Sequence, residues 1–66
     1  MRPRTLPPEE RRRQIVEAVL HVVSEYGVPE TTTARIARAA GVAEGTLYLH
    51  FESRSDMLLA ALDAIL

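Results

Sequence analysis

Apolar side chains recur along this chain at intervals of three and four residues, the spacing that places them on one face of a helix. The first such stretch has a stripe of five apolar residues: Ile15, Val19, Val22, Val23 and Tyr26. We expect a first helix from Pro8 or Glu9 to Tyr26, since proline is tolerated at the first helical position. Gly27 ends this pattern, and Pro29 prevents the helix from resuming.

A second, shorter pattern has helix signals at both ends. Its apolar face is formed by three residues: Ile36, Ala37 and Ala40. The hydroxyls of Thr32 and Thr33 provide N-cap chemistry at its start. Gly41 follows it, and glycine readily takes the left-handed backbone that stops a helix sharply. The pattern predicts a second helix over residues 33–40.

The third pattern predicts a helix over residues 43–50. Leu47 and Phe51 are four residues apart, so they share its inward face. The opposite face carries polar and amphipathic side chains: Glu44, Thr46, Tyr48 and His50. Two short helices that meet at Gly41 indicate a helix-turn-helix over residues 32–51. A short helix with apolar anchors inward and hydrogen-bonding groups outward suits the major groove of DNA.

The last pattern begins at Ser53, which together with Asp56 resembles a capping box. Most of the side chains that follow are apolar: Met57, Leu58, Ala61, Leu62, Ile65 and Leu66. We expect Leu58, Leu62 and Ile65 to pack on the first helix. Because the pattern is apolar on more than one side and has no stop signal, we expect it to continue in a longer protein or to meet a partner.

Composition narrows the function classes. Sixty-six residues make one small domain, and the lack of cysteine excludes disulfides and thiolate zinc sites. The two histidines are 29 positions apart, with no phosphate-cradling glycine loop and no HExxH spacing. We therefore expect no enzyme, no cofactor and no metal site. The absence of a membrane-length apolar run and of a signal-peptide core predicts a cytoplasmic protein with no membrane contact.

The charge distribution is more informative than the net charge of −1, which argues mildly against nucleic-acid binding. Residues 1–13 hold five arginines and two glutamates. We interpret residues 1–8 as a flexible arm. In it, Arg2 and Arg4 are candidates for contacts with the minor groove or with phosphates, and a merely solvated tail is the alternative.

Several segments in combination are typical of one protein family. They are IVEAVLHVVSEYG at 15–27, the Thr31–Thr32 pair before IARAAGV, GTLYLHF at 45–51, and Ser53-Arg54. Through them the chain resembles, over about residues 13–62, the N-terminal DNA-binding domain of the tetracycline-repressor-like (TetR) transcriptional regulators. The GTLY segment with the aromatic residue and Ser-Arg after it is the most specific of these features.

The resemblance implies an all-α fold, in which a homeodomain-like bundle of three helices carries the helix-turn-helix. This DNA-binding domain is expected over residues 9–52. The start of a fourth, connecting helix is expected over residues 53–66. That helix would lead to a ligand-binding and dimerisation domain that the sequence does not contain.

Roles in DNA binding follow position by position. The resemblance assigns phosphate contacts to four residues: Thr33, Tyr48, His50 and Arg54. It assigns base-edge contacts to three residues at the start of the third helix: Glu44, Gly45 and Thr46. From its place early in the second helix, Arg35 is interpreted either as a backbone contact or as a solvated charge.

Four positions depart from the family pattern. Ala34 stands where relatives often have a base-reading arginine, and Ala43 replaces the serine that commonly caps the third helix. Glu44 would repel phosphate, yet a carboxylate can accept a hydrogen bond from cytosine N4. Leu49 replaces a polar or aromatic residue, so it either touches a thymine methyl group or packs within the protein.

The implied function is sequence-specific DNA binding by the head of a ligand-responsive bacterial regulator, expected to be a repressor. Its partners would be a palindromic double-stranded operator, a second copy bound through the missing domain, and a small-molecule effector. The alternative is a helical interaction or dimerisation module that no longer binds DNA, as the neutral recognition region, residues 31–56, and the exposed apolar fourth helix suggest.

Overall fold

The computed structural model describes residues 6–66, and the regular structure of this part of the chain is entirely helical. It has four helices: α1 (Pro8–Tyr26), α2 (Thr33–Ala40), α3 (Glu44–Leu47) and α4 (Arg54–Ile65). The predicted all-α class is thereby confirmed. Arg2 and Arg4, the two arm residues predicted to contact DNA, lie outside the described residues.

Helix α1 begins and ends where the sequence pattern places it. Pro8 is its first residue, where the missing N–H of proline has no helical bond to lose, and Glu9 and Glu10 lie in its first turn near the positive end of the helix dipole. Pro8 therefore belongs to α1 and not to the arm expected over residues 1–8. The buried face of α1 is formed by five residues: Ile15, Val16, Ala18, Val19 and Val22.

Tyr26, expected in the apolar stripe of α1, is half exposed instead. Its ring lies beneath the guanidinium of Arg35, whose Cζ atom is 4.2 Å from the ring centroid. The expectation is wrong because helical periodicity does not show where along a helix the core stops. Here the chain leaves α1 directly after Tyr26, at Gly27, with a positive φ of 83°.

The connection from α1 to α2 is fixed by two threonine hydroxyls. Thr31 is fully buried, and its hydroxyl donates a hydrogen bond of 2.7 Å to the carbonyl oxygen of Gly27. The hydroxyl of Thr32 accepts from the backbone N–H of Arg35 at 3.2 Å, which confirms Thr32 as the N-cap of α2. The first of these bonds satisfies a carbonyl left over at the end of α1.

Gly41 ends α2 in the left-handed conformation that the sequence predicts, with φ 74° and ψ 30°. Its N–H donates to the carbonyl of Arg38 at 3.2 Å, and the N–H of Val42 donates to the carbonyl of Ala37 at 3.0 Å. This pair of bonds is a Schellman motif. It turns the chain sharply between the two helices of the helix-turn-helix.

Helix α3 is much shorter than the predicted span of residues 43–50, so that prediction is wrong. The N–H groups of Tyr48, Leu49 and His50 donate to carbonyls three residues earlier, at 3.1–3.2 Å, and the α-helical pattern gives way to tighter turns. Ala43 provides no side-chain cap, and Gly45 has low helix propensity. Both weaken the start of a helix that is held mainly by the burial of Leu47.

The core lies between α1 and the other helices, since α1 contacts both α2 and α4 while α3 rests on α2. Its largest fully buried side chains are Ile15, Val19, Thr31, Ile36, Leu47 and Met57. The hydroxyl of Ser53 accepts from the N–H of Asp56 at 3.2 Å, so the predicted cap of α4 is confirmed.

Helix α4 packs on α1 through a narrower face than expected. Met57 and Ala61 are buried, and Leu58 is partly buried against the core. Leu62, however, is half exposed and Ile65 is largely exposed, so neither is buried against α1 as expected. None of the helices in residues 6–66 combines the length and the apolar character that crossing a membrane requires.

Candidate nucleic-acid interface

The segment from α3 to Phe51 is divided into a buried side and a protruding side. Leu47 is fully buried and Phe51 nearly so, and they anchor the segment on the core. In the tighter turns that follow, successive residues are about 120° apart, so the positions one and two after Leu47 turn away from that core. Accordingly, Tyr48 is 50% exposed and Leu49 is 80% exposed. The segment therefore presents side chains to an external surface.

Glu44 and Gly45 extend this protruding side at the start of α3, where both are exposed. A Cβ atom added at Gly45 would meet no heavy atom within 4 Å, and its φ is not positive. Neither internal packing nor backbone conformation therefore demands glycine at this position. An exposed backbone without a side chain does allow a large ligand to approach closely.

Tyr48 and His50 differ in their surroundings. Within residues 6–66, the Tyr48 hydroxyl has no hydrogen-bond partner, so it is available to an external acceptor. His50 is half-buried beside a surface cavity that is also lined by Arg12 and Asp56. The guanidinium of Arg12 lies 4.7 Å from the centroid of the Phe51 ring and covers that ring on the α1 side.

Leu49 does not pack within the described part of the protein, since four fifths of its surface is exposed. The sequence allows Leu49 either to pack within the protein or to touch a thymine methyl group, and the first interpretation is therefore wrong. The side chain lies next to Tyr48 on the protruding side of the segment. An apolar group at that place can contact a thymine methyl group in a major groove.

The start of α2 provides a second group of candidate residues. Thr33 is the first residue of an eight-residue helix and is half-buried, while the hydroxyl of Thr32 is already used in capping. Helix N-termini carry partial positive charge and unpaired N–H groups that attract phosphate. Ala34 is exposed there and has no donor to offer a base.

Arg35 is held by contacts within the protein. Its Nη1 atom donates to the carbonyl oxygen of Glu30 at 2.9 Å and lies 3.4 Å from the Oε1 atom of the same residue. The guanidinium also stacks over the ring of Tyr26. Helical spacing alone predicts neither contact, because Tyr26 belongs to α1 and Glu30 to the turn between α1 and α2.

Arg54 is the first residue of α4 and is half-buried. The predicted contact residues thus lie on three elements: Thr33 and Arg35 on α2; Glu44, Gly45, Thr46, Tyr48 and His50 on α3 and the turns after it; and Arg54 on α4. Helix α3 rests on α2, so these two groups belong to neighbouring parts of the surface. Glu44 is the only acidic residue of the α3 segment, and it lies in the first turn of α3.

The family model of bacterial regulatory proteins, tetR family, matches residues 15–61, which is most of the chain. The uncharacterised HTH-type transcriptional regulator TtgW of Pseudomonas putida is 43% identical over 54 residues, which cover 82% of this chain and 40% of TtgW. The HTH-type transcriptional regulator TtgR of the same species is 40% identical over 57 residues, covering 86% of this chain and 27% of TtgR.

A third relative is the fatty acid metabolism regulator protein of Bacillus subtilis, which is 40% identical over 47 residues, or 71% of this chain and 24% of that protein. The chain therefore spans only 24–40% of the length of these curated relatives. No solved structure matches it significantly.

Proposed function

The chain belongs to the tetR family of bacterial regulatory proteins, and from this premise we propose that it binds double-stranded DNA with sequence specificity, as the head of a transcriptional regulator. Its relatives are transcriptional regulators of the helix-turn-helix type. The observation that carries the proposal is the division of the α3 segment into a buried Leu47 and a protruding side with Gly45, Tyr48 and Leu49.

In this proposal α3 enters the major groove and α2 crosses the phosphate backbone, as in other helix-turn-helix proteins. Glu44, Gly45 and Thr46 face base edges. Four hydrogen-bond donors bind phosphates: Thr33, Tyr48, His50 and Arg54. Arg35 is a fifth phosphate contact, and Arg2 and Arg4 of the N-terminal arm add contacts to the minor groove or to phosphates.

The larger protein is proposed to be a repressor that acts as a homodimer. The length of the relatives supports a further region in which dimerisation and effector sites would lie, because they extend well beyond the region that matches this chain. Two heads would bind the half-sites of a palindromic operator, about one helical turn or a multiple of it apart. A small-molecule effector bound to the remainder of the protein would change the separation of the heads and release the DNA.

A helical interaction module that does not bind DNA is the competing interpretation. The zero net charge of residues 31–56 and the exposed apolar side of α4 suggest it. The regulator relatives favour DNA binding instead. Since these relatives are regulators, we also propose that the chain catalyses no reaction.

Fluorescence anisotropy tests the proposal directly. A duplex selected from a random pool and a scrambled duplex are each titrated with the protein at several salt concentrations. Tighter binding to the selected duplex is expected, with affinity that falls steeply as salt rises, because counterions are released from each neutralised phosphate. A protein that is helical by circular dichroism and binds neither duplex at low salt would support the interaction module.

A further inference from the structure

Arg35 lies at a point where two elements meet. It is the third residue of α2, in the same helical turn as Thr33, yet its guanidinium reaches back to the end of α1 and to the loop after it. Three groups hold it there: the Tyr26 ring, the Glu30 carbonyl oxygen and the Glu30 carboxylate. Its positive charge is thus paired with a carboxylate of the same protein, at the helix end proposed to face phosphate.

The pairing with the Glu30 carboxylate is easily exchanged. The side chains of Arg35 and Glu30 are 41% and 68% exposed, and their closest charged atoms are 3.4 Å apart. Ion pairs with such exposure add little stability, because water and salt screen them. A DNA phosphate offers the guanidinium a charge-assisted and frequently bidentate contact, which is stronger. The contact with the Tyr26 ring does not compete with a phosphate, because it uses none of the guanidinium N–H groups as hydrogen-bond donors.

We propose that Tyr26 positions a phosphate-binding Arg35, and that the Glu30 carboxylate competes with the phosphate for its guanidinium. In the free protein the Glu30 carboxylate pairs with the positive charge of Arg35, and the Tyr26 ring holds the Arg35 guanidinium over it. When DNA binds, the guanidinium exchanges the Glu30 carboxylate for a phosphate oxygen and stays on the ring. This inference rests on the proposed function, since it requires that the start of α2 face the DNA backbone.

The first consequence is that Glu30 lowers DNA affinity, and that it does so through Arg35. Replacing it with glutamine, Glu30→Gln, removes the competitor and should raise affinity about two- to fivefold at low salt. In an Arg35→Gln background the same change should raise affinity less than twofold, because the group that Glu30 restrains is gone. Glu17→Gln is a matched control, since it makes the same charge change at an exposed site on α1.

The second consequence concerns the number of phosphates bound. Arg35→Gln should lower the slope of log affinity against log salt by about one, as the loss of one phosphate contact does. Arg35→Lys should restore most of that slope and only part of the affinity, because lysine keeps the charge but loses the planar fork. Tyr26→Leu should weaken binding about two- to fivefold by removing the ring, whereas Tyr26→Phe should leave it unchanged.

The experiment is a double-mutant cycle over Glu30 and Arg35, measured by anisotropy on the selected duplex, with circular dichroism to confirm folding. Coupling of at least twofold together with the loss in salt slope supports the proposal. An equal effect of Glu30→Gln in both backgrounds, or an unchanged slope in Arg35→Gln, overturns it while DNA binding by the unmodified protein stands. If the unmodified, folded protein binds no DNA, the proposed function itself has failed.

Discussion

Tyr48 combines a half-exposed ring with a hydroxyl that has no partner within residues 6–66. A hydroxyl that donates to a phosphate forms a hydrogen bond to a charged group, which contributes about 1.5 kcal/mol or more. Tyr48→Phe should therefore weaken binding roughly tenfold on every duplex and leave the base preference unchanged. Anisotropy on selected and scrambled duplexes measures both quantities. An altered base preference at unchanged affinity would assign Tyr48 to base recognition.

Glu44 is exposed in the first turn of α3, where a side chain meets base edges in the proposed complex. A carboxylate accepts from cytosine N4, whereas the amide of glutamine pairs in bidentate fashion with adenine. Glu44→Gln should shift the preference from cytosine towards adenine at one position of each half-site, with a discrimination of about 1–3 kcal/mol. Selection from a random duplex pool reads this out, and identical selected motifs for both proteins would remove Glu44 from recognition.

Residue roles that depend on nearby backbone are predictable from this sequence, and roles that depend on distant partners are not. The caps Thr32 and Ser53 and the left-handed Gly41 follow from local chemistry, and the structure confirms all three. The contact of Arg35 with the half-exposed Tyr26 ring and that of Arg12 with the Phe51 ring each join side chains from different elements of the fold. No local spacing encodes such contacts, because they depend on how the helices are packed.

At the scale of the element, the two glycines of the helix-turn-helix serve different purposes. The φ angle of Gly41 is positive, whereas that of Gly45 is not. A Cβ atom added at either position would meet no heavy atom within 4 Å. Gly41→Ala should cost about 1–2 kcal/mol, the penalty of left-handed backbone for a residue with a side chain. Thermal unfolding should show a melting temperature lower by about 5–15 °C.

Gly45→Ala should separate folding from DNA binding. Alanine has higher helix propensity, so stability should rise by up to about 1 kcal/mol. Affinity for the selected duplex should nevertheless fall, because the new methyl group stands between the α3 backbone and the base edges. Thermal unfolding and anisotropy on the same preparation decide the matter, and undiminished affinity would show that DNA does not approach Gly45.

The elements themselves are predictable to different degrees. Helices α1 and α2 have long or well-capped patterns, and their observed bounds match the expected ones. For α3 the pattern overstates the helix, because alternation of buried and exposed residues persists through the tighter turns that follow Leu47. The inward and outward faces are nevertheless correct, since Leu47 and Phe51 are buried and Tyr48 is not.

At the scale of the whole molecule, the candidate interface and the core depend on the same buried residue. Leu47 anchors the α3 segment and is also one of the largest fully buried side chains, so presentation of the outward face depends on the core. The sequence predicts which residues face outward, because that depends on spacing. It does not predict that α4 would leave Leu62 and Ile65 exposed, since the crossing of α4 on α1 is set by the whole set of packed side chains.

So small a core makes the entire fold sensitive to single buried residues. Met57 is fully buried on the face of α4 that meets α1, and a domain below about 70 residues rarely has more than about 3–5 kcal/mol of stability. Met57→Ala removes about 2–5 kcal/mol through lost burial and the cavity left behind, so most of the protein should lose its helical circular dichroism signal. Met57→Leu conserves volume and should cost less than about 1.5 kcal/mol. Leu59→Ala, at a position that is 61% exposed, should change stability by less than about 0.5 kcal/mol. An unchanged urea midpoint for Met57→Ala would mean that α4 is not part of the cooperative core.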